Sequence, residues 1–103
     1  MTKRRLTQIE RRIKGIKSEL TEIEEMRPGS LTQQYKDRER LSGPFYQLSY
    51  THEMKSRTNY IRKDFVSRVR KQIKNYKRFK KLTAEWVALG IEHSKLSMKI
   101  KKD

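Results

Sequence analysis

The sequence contains no cysteine, which excludes disulfide bonds and metal sites built on thiolates. Histidine is scarce as well, with two residues in a chain of 103. No apolar run approaches the roughly 20 residues that a membrane-spanning helix needs. Lys3, Arg4 and Arg5 stand near the start, but no apolar signal-peptide core follows them. We therefore expect a cytoplasmic protein that does not engage the membrane.

Acidic residues are few relative to basic ones. The chain has 12 Asp and Glu against 27 Lys and Arg, which gives a formal charge of +15. Self-repulsion of this size works against a compact monomer unless a partner neutralises it. Hydrophobic residues make up only 33%, a combination shared with disordered chains. Because the apolar residues recur periodically, however, we expect a single folded domain over residues 1–103 with frayed ends.

An apolar seam predicts a coiled-coil helix over residues 1–27. Its members follow one another at alternating spacings of three and four residues, which is the period of a helix that packs on another helix. Pro28 and Gly29 end this helix, since proline disfavours helical geometry in the residue before it. The seam consists of Leu6, Ile9, Ile13, Ile16, Leu20 and Ile23.

The middle of the chain predicts a short helix and then a β-hairpin. Ser30 and Gln33 match a capping box, so a turn, a short helix and a loop are expected over residues 28–43. Residues 44–61 alternate in polarity and are rich in strand-forming side chains, which predicts a β-hairpin. A lone hairpin is marginal in water, so it must pack on another element.

A long basic helix is predicted over residues 63–102. Between Arg62 and Lys81 the chain has ten Lys and Arg and one acid, Asp64. Apolar and basic residues here each recur at helical spacing and so occupy two faces of one helix, as in helices that lie on a polyanion. The apolar face carries Phe65, Val69, Ile73, Tyr76 and Phe79, and the cationic face carries Lys63, Arg70, Lys74, Lys77 and Lys81.

The C-terminal half of this helix has two apolar seams on nearly opposite faces, so it is expected to be buried on two sides. One seam, from Leu82 to Ile100, matches the N-terminal seam in length. This predicts antiparallel pairing of the two helices, with Leu6 facing Ile100. The fold class is thus mainly α, with the β-hairpin between two paired helices. The second seam is expected to form a homodimer or larger bundle through Val87, Ile91 and Met98.

Several motifs lie between residues 29 and 96: Gly29-Ser30-Leu31-Thr32-x-Gln34-Tyr35, Gly43-Pro44-Phe45-Tyr46-x-Leu48-Ser49-Tyr50, Lys55-Ser56-Arg57-Thr58, Tyr60 and Asn75-Tyr76-x-Arg78-Phe79. On these motifs, residues 29–96 resemble an uncharacterised family of small bacterial and archaeal proteins, some of them from mobile-element-rich genomes. Members often carry a Cys-rich knuckle where this chain has 36–40, so no metal role is implied there. Members also tend to have Gly-Gly at the hairpin turn, whereas Glu53-Met54 here speaks against a tight turn. The resemblance implies no known activity.

The sequence contains few candidate catalytic residues. His93 falls on the coiled-coil seam, where a core or buried polar role is expected, and His52 is expected to be a turn residue. No glycine-rich phosphate loop and no metal-ligand spacing is present. We therefore expect no enzyme, no cofactor, no metal and no small-molecule substrate.

The cationic stripe favours a nonenzymatic nucleic-acid-binding protein, since a merely solvated helix face mixes both signs of charge. Phosphate contacts would dominate, and DNA and RNA fit equally well. Arg57 and Asn59 share one strand face and are placed to read base edges in a major groove. The expected contact residues are Lys55, Arg57, Asn59, Arg62, Lys63, Arg70, Lys74, Lys77, Arg78 and Lys81.

Three alternatives stay open at this point. The weakest is a helix that lies on an anionic membrane surface: the basic face suits such lipids, but the aromatic face is better explained as core that faces the hairpin. Tyr46, Tyr50 and Tyr60 can stack on unpaired bases, although packing on the long helix is the favoured interpretation. The chain can also be a protein-interaction module, an adaptor or an inhibitor that docks on a nucleoprotein enzyme such as a host defence system. The second apolar seam favours that interpretation, because it offers an exposed apolar patch.

Overall fold

The computed structural model describes residues 2–100. Its elements are α1 (Thr2–Glu22), β1 (Ser30–Asp37), β2 (Ser42–His52), β3 (Lys55–Ile61) and α2 (Val66–Ile100), with a 3₁₀ turn at Lys63–Phe65 before α2. The structure thus has two helices with antiparallel β structure between them along the chain, which confirms the predicted fold class. Positions 101–102 of the predicted long helix lie outside the described residues.

The chain forms two compact units. The helical unit comprises α1, up to Glu24, and the part of α2 from Arg78 onward. The sheet unit runs from Glu25 to Lys77 and contains the three strands and the first turns of α2.

In the helical unit, α1 packs against α2 through its predicted seam. Ile9 and Ile16 are completely buried, and Leu82 on α2 is 5% exposed. These residues belong to the two seams that the sequence pairs. Burial of a large aliphatic side chain contributes about 1.5–3 kcal/mol, so the seam provides the main attraction between the helices.

A ladder of ion pairs fixes the antiparallel direction of the helices. Arg5 Nε lies 2.7 Å from Glu92 Oε2, and Arg12 Nε lies 2.6 Å from Glu85 Oε2. The third rung joins Glu19 to an Arg78 nitrogen at 3.4 Å. Each step of seven residues forward on α1 matches a step of seven backward on α2. The rungs therefore recur once per heptad along one side of the helix pair, as interhelical pairs do in coiled coils.

The register of the two helices differs from the predicted one. Arg5 binds Glu92, and Glu10 contacts His93. The start of α1 therefore lies closer to the middle of α2 than a pairing of Leu6 with Ile100 would place it. The predicted pairing was wrong because it would bring the basic residues of both helix ends together, whereas the observed one gives the arginines carboxylate partners.

The sheet unit contains a three-stranded antiparallel sheet in the order β1-β2-β3. The predicted hairpin corresponds to β2 and β3, but the short helix predicted from Ser30 was wrong, because β1 occupies Ser30–Asp37. The capping box is a local signal, and it is overridden by the ladder that pairs β1 with β2 from Ser30↔Ser49 onward. Such pairing satisfies the backbone hydrogen bonds of the whole segment.

The two faces of the sheet differ in burial. Leu48, at the centre of β2, is completely buried, and Val66 and Val69 of α2 are the other buried side chains of this unit. Gly29 allows the chain to pass close to Leu48: its φ is +144°, and a Cβ there would lie 2.5 Å from Leu48 Cδ1. On the opposite face, Thr58 and Tyr60 are exposed.

The ladder of ion pairs between α1 and α2 predicts that the helical unit loses stability in acid. Hydrogen bonds from Arg12 and Arg5 hold the pKa values of Glu85 and Glu92 below the ordinary range. A carboxyl whose pKa is lower in the folded state contributes stability above its unfolded pKa of about 4.3, and this is lost as the pH falls through the folded value. We expect Glu85→Gln/Glu92→Gln to show a smaller drop in thermal midpoint than the wild type between about pH 6 and pH 2.5.

The control for this acid-sensitivity experiment is Glu22→Gln/Glu24→Gln, which removes the same charge from two exposed side chains. It should keep the steep pH dependence of the wild type. If the thermal midpoint of both double variants depended equally weakly on pH, the effect would come from net charge. That result would contradict a role of the ion-pair ladder in the acid sensitivity.

The β2–β3 connection is a tight two-residue turn, contrary to the expectation from Glu53-Met54. Both residues have positive φ, 51° and 65°, as a type I′ turn requires. For a non-glycine residue, such a conformation costs about 1–3 kcal/mol.

We therefore predict that Glu53→Asn/Met54→Gly, which installs the favoured turn pair, stabilises the protein by about 1–2 kcal/mol in urea unfolding. Glu53→Gln removes the same charge without relieving the backbone, so an equal gain from it would contradict this explanation.

Candidate nucleic-acid interface

The ten predicted contact residues are all exposed but do not form one set. Arg78 and Lys81 belong to the helical unit, and the other eight belong to the sheet unit. Arg78 binds Glu19 at 3.4 Å, and the charge of Lys81 helps to lower the pKa of Glu85. These two cations therefore have acidic neighbours within the helical unit.

Two predicted residues of the sheet unit also have partners. Arg62 lies 3.6 Å from Asp64, and Asn59 accepts a hydrogen bond from Arg27 at 3.2 Å. Arg57 and Asn59 do share one strand face, since their β2 partners Tyr50 and Leu48 are two residues apart. Asn59 is thus occupied by a contact within the chain.

The remaining six predicted cations have no acidic partner. Within residues 2–100, their side chains make no ion pair and no hydrogen bond. Three of them follow each other on α2 at spacings of four and three residues and so share one helix face, where like charges repel. The six, which we call the free cations, are Lys55, Arg57, Lys63, Arg70, Lys74 and Lys77.

A second side of α2 is held by the segment that follows α1. Glu25 binds Arg68 at 2.7 Å and accepts a hydrogen bond from Gln72 at 3.2 Å. The Glu25 carbonyl accepts a bond from Asn75 at 2.9 Å. Hydrogen bonding from Arg68 lowers the pKa of Glu25 and raises that of Arg68. Glu25 therefore compensates the charge of Arg68, whereas no acid among residues 2–100 forms an ion pair with a free cation.

Arg27 connects that segment to both α2 and the sheet. Its backbone N–H donates to the Gln72 carbonyl at 3.2 Å. Its guanidinium carbon lies 4.8 Å from the centroid of the Tyr50 ring, and its Nη2 donates to Asn59. Sequence reasoning missed Glu25 and Arg27, because both act through contacts about 20 to 50 residues away in the chain and no local pattern marks them.

The three tyrosines considered for base stacking lie on different faces of the sheet. Tyr46 and Tyr50 are half-buried on the face of Leu48, as the packing interpretation expects. Tyr60 is 76% exposed on the other face, with its ring centroid 5.7 Å from that of Phe45. Tyr60 is thus the tyrosine of the three with a ring open to a ligand.

The structure offers few groups for a metal site, a membrane span or catalysis within residues 2–100. Among residues 2–100, no three His, Asp or Glu side chains are grouped so that they could hold a metal ion. No described helix combines the length and apolarity needed to cross a membrane. His93 forms a contact with Glu10 at 3.4 Å within the helical unit, and His52 lies 3.6 Å from Glu53 at the hairpin turn.

These features define a small basic protein with a helical unit, a three-stranded sheet unit and a cationic helix face. The chain belongs to the family described as a domain of unknown function, DUF6788, which matches residues 6–71. The match covers α1 from Leu6 onward, the sheet and the beginning of α2 as far as Lys71. No curated protein and no solved structure matches the chain. An uncharacterised family is what the motifs indicated.

The two kinds of cation on α2 predict opposite effects on stability. Arg68→Gln removes the bond to Glu25 and leaves that carboxylate without its main partner, so we expect a lower thermal midpoint. Arg70→Gln removes a free cation from a repulsive stripe, so the midpoint should stay the same or rise. Thermal unfolding monitored by circular dichroism distinguishes the two variants, and a larger loss for Arg70→Gln would contradict this division.

Proposed function

We propose that this protein is a nonenzymatic nucleic-acid-binding protein that uses the sheet unit to contact the phosphate backbone. The observation that carries the proposal is the set of free cations, which form no ion pair with any acid in the described range 2–100. Positive charges held together without compensation raise the local potential and attract polyanions. Folding gains nothing from this repulsion, so a ligand that relieves it is the simplest reason for its presence.

The charges sort into two roles under this proposal. Lys63, Arg70, Lys74 and Lys77 supply phosphate contacts that depend little on sequence. Lys55 and Arg57 lie on β3, an edge strand whose residues 55–60 are all exposed. Sheets that present a strand to a groove are a known mode of DNA recognition. Tyr60 adds a ring that can stack on an unpaired base.

Fluorescence anisotropy with labelled duplex DNA, single-stranded DNA and duplex RNA tests the proposal. Six phosphate contacts should lower the affinity by about 10³ or more between roughly 50 and 200 mM salt. The ligand with the highest affinity would identify the substrate class. Weak binding to all three, or tight binding that salt does not weaken, would refute the proposal.

A fourfold neutralisation locates the surface. The quadruple variant should weaken binding evenly across sequences. It should also reduce the slope of log affinity against log salt concentration by about four. It combines Lys63→Gln, Arg70→Gln, Lys74→Gln and Lys77→Gln. The matched control neutralises Lys3, Arg4, Lys95 and Lys99, exposed cations of the helical unit, and should change the slope much less. If both quadruple variants behave alike, only net charge matters and the assigned surface is wrong.

The biological setting is proposed on the resemblance alone. Similar small proteins occur in mobile-element-rich genomes, which favours an accessory factor of a mobile element or phage. Binding to phosphate without sequence preference suits such a role, because it needs no fixed target site.

A second candidate function is a protein-interaction module. It is favoured by the exposed apolar side chains of the second α2 seam, where Val87 is 62% exposed, Ile91 53% and Met98 63%. A helix face of this kind is an expected site for a protein partner. Sedimentation equilibrium at tens of micromolar separates self-association from a foreign partner: a folded monomer would exclude the homodimer expected from the sequence.

A further inference from the structure

A groove runs along the helical unit on the side away from the ion-pair ladder. Its volume is about 510 Å³. Its walls include Ile13 and the aliphatic stems of two lysines, which can cover apolar surface while their charges reach water. The residues that line it are Glu10, Ile13, Lys14, Lys17, Gly90, His93 and Ser94.

Gly90 lines this groove, and no neighbouring element within residues 2–100 requires a glycine there. Apart from its own helix backbone and chain neighbours, no described atom lies within 4 Å of the position that a Cβ would take. Glycine in a helix interior costs about 1 kcal/mol relative to alanine. What glycine does allow is a close approach of another backbone, as at the contact of two tightly packed helices.

The exposed apolar stripe of α2 borders the groove. Val87, Ile91 and Met98 recur at spacings of four and seven residues, which is the pattern of one helix face. Gly90 stands next to Ile91, three residues after Val87. The groove and the stripe together offer the apolar bed that a third helix needs.

The charges at this surface select the chemistry of that helix. Lys14 and Lys17 lie on the α1 side, and Lys95 is exposed beside Ser94 on the α2 side. Glu10, the acid of the groove lining, is already in contact with His93 at 3.4 Å. A second copy of this chain would bring its own lysines against these, so charge complementarity disfavours self-association here.

We propose that the groove over Gly90 binds an amphipathic α-helix of a partner protein, with aliphatic residues on one face and Asp or Glu on its flanks. This specifies the partner of the second candidate function and does not depend on nucleic-acid binding. The proposal uses the helical unit, whereas the nucleic-acid proposal uses the sheet unit, so one can fail without the other.

The test measures binding of three synthetic peptides of roughly 20 residues, an acidic helix with leucine at three- and four-residue spacing and two relatives of it. The first relative replaces Glu by Lys, and the second carries a central proline that breaks the helix. Trp86, the only tryptophan, reports binding, since Lys17 Nζ of the groove lies 5.4 Å from its ring centroid. The acidic helix should bind at least about tenfold more tightly than either relative.

Two glycine variants make the test specific. Apart from its chain neighbours, a Cβ at Gly90 would meet no described side chain within 4 Å, and the groove beside it measures about 510 Å³, so Gly90→Leu should not lower the thermal midpoint. Binding of the acidic helix should weaken by at least about tenfold, because the leucine side chain would occupy the groove. Gly15→Ala adds a methyl on the ladder side, 3.9 Å from an Arg12 nitrogen, and should leave binding unchanged. Both glycines lie inside helices, so they share the general effect of removing a helix glycine.

Three outcomes would overturn the inference. The first is no preference for the acidic helix over its two relatives. The second is a monomer–dimer equilibrium that Gly90→Leu abolishes, since a second copy would then be the occupant. The third is a loss of oligonucleotide affinity in Gly90→Leu with no effect on the peptide, which would assign the groove to nucleic acid.

Discussion

The organising constraint of this protein is that its positive charge cannot be neutralised from within. With 27 basic and 12 acidic residues, the chain keeps a surplus of 15 positive charges, and the fold decides where that surplus lies. Some acids form pairs only within local turns, such as Asp64 with Arg62, but others form pairs between separate segments of the chain. Glu85 and Glu92 hold α1 to α2, and Glu25 holds Arg68. The surplus charge is therefore left on surfaces that no element of the chain covers.

The segment between α1 and β1 distributes the charge in the sheet unit. Glu25 and Arg27 bind one side of α2 through Arg68, Gln72 and Asn75, and Arg27 also contacts Tyr50. Hydrogen bonds to charged groups are stronger than those between neutral ones, so these contacts define which side of α2 is covered. The side with Arg70, Lys74 and Lys77 is the one left open. The proposed ligand surface thus follows from the way α2 is anchored.

The sequence predicts the elements whose signals are local and misses those that depend on distant partners. The seam from Leu6 to Ile23 predicts α1, and the alternating residues after Pro44 predict the hairpin, because both patterns repeat within a few residues. The strand at Ser30–Asp37 was missed because its pairing with β2 outweighs a local capping signal. For the same reason the sequence could name exposed cations but could not separate Arg78, which binds Glu19, from Arg70, which binds nothing among the described residues.

The most direct test of the central claim is residue-specific. Amide chemical shifts of the 103-residue chain, followed by NMR during titration with a short duplex DNA and a single-stranded oligonucleotide, show which surface contacts the ligand. The largest changes are expected on residues 55–77, on β3 and the open side of α2, and they should disappear at high salt. Changes confined to α1 and to α2 beyond Arg78, or no change with either nucleic acid, would contradict the central claim.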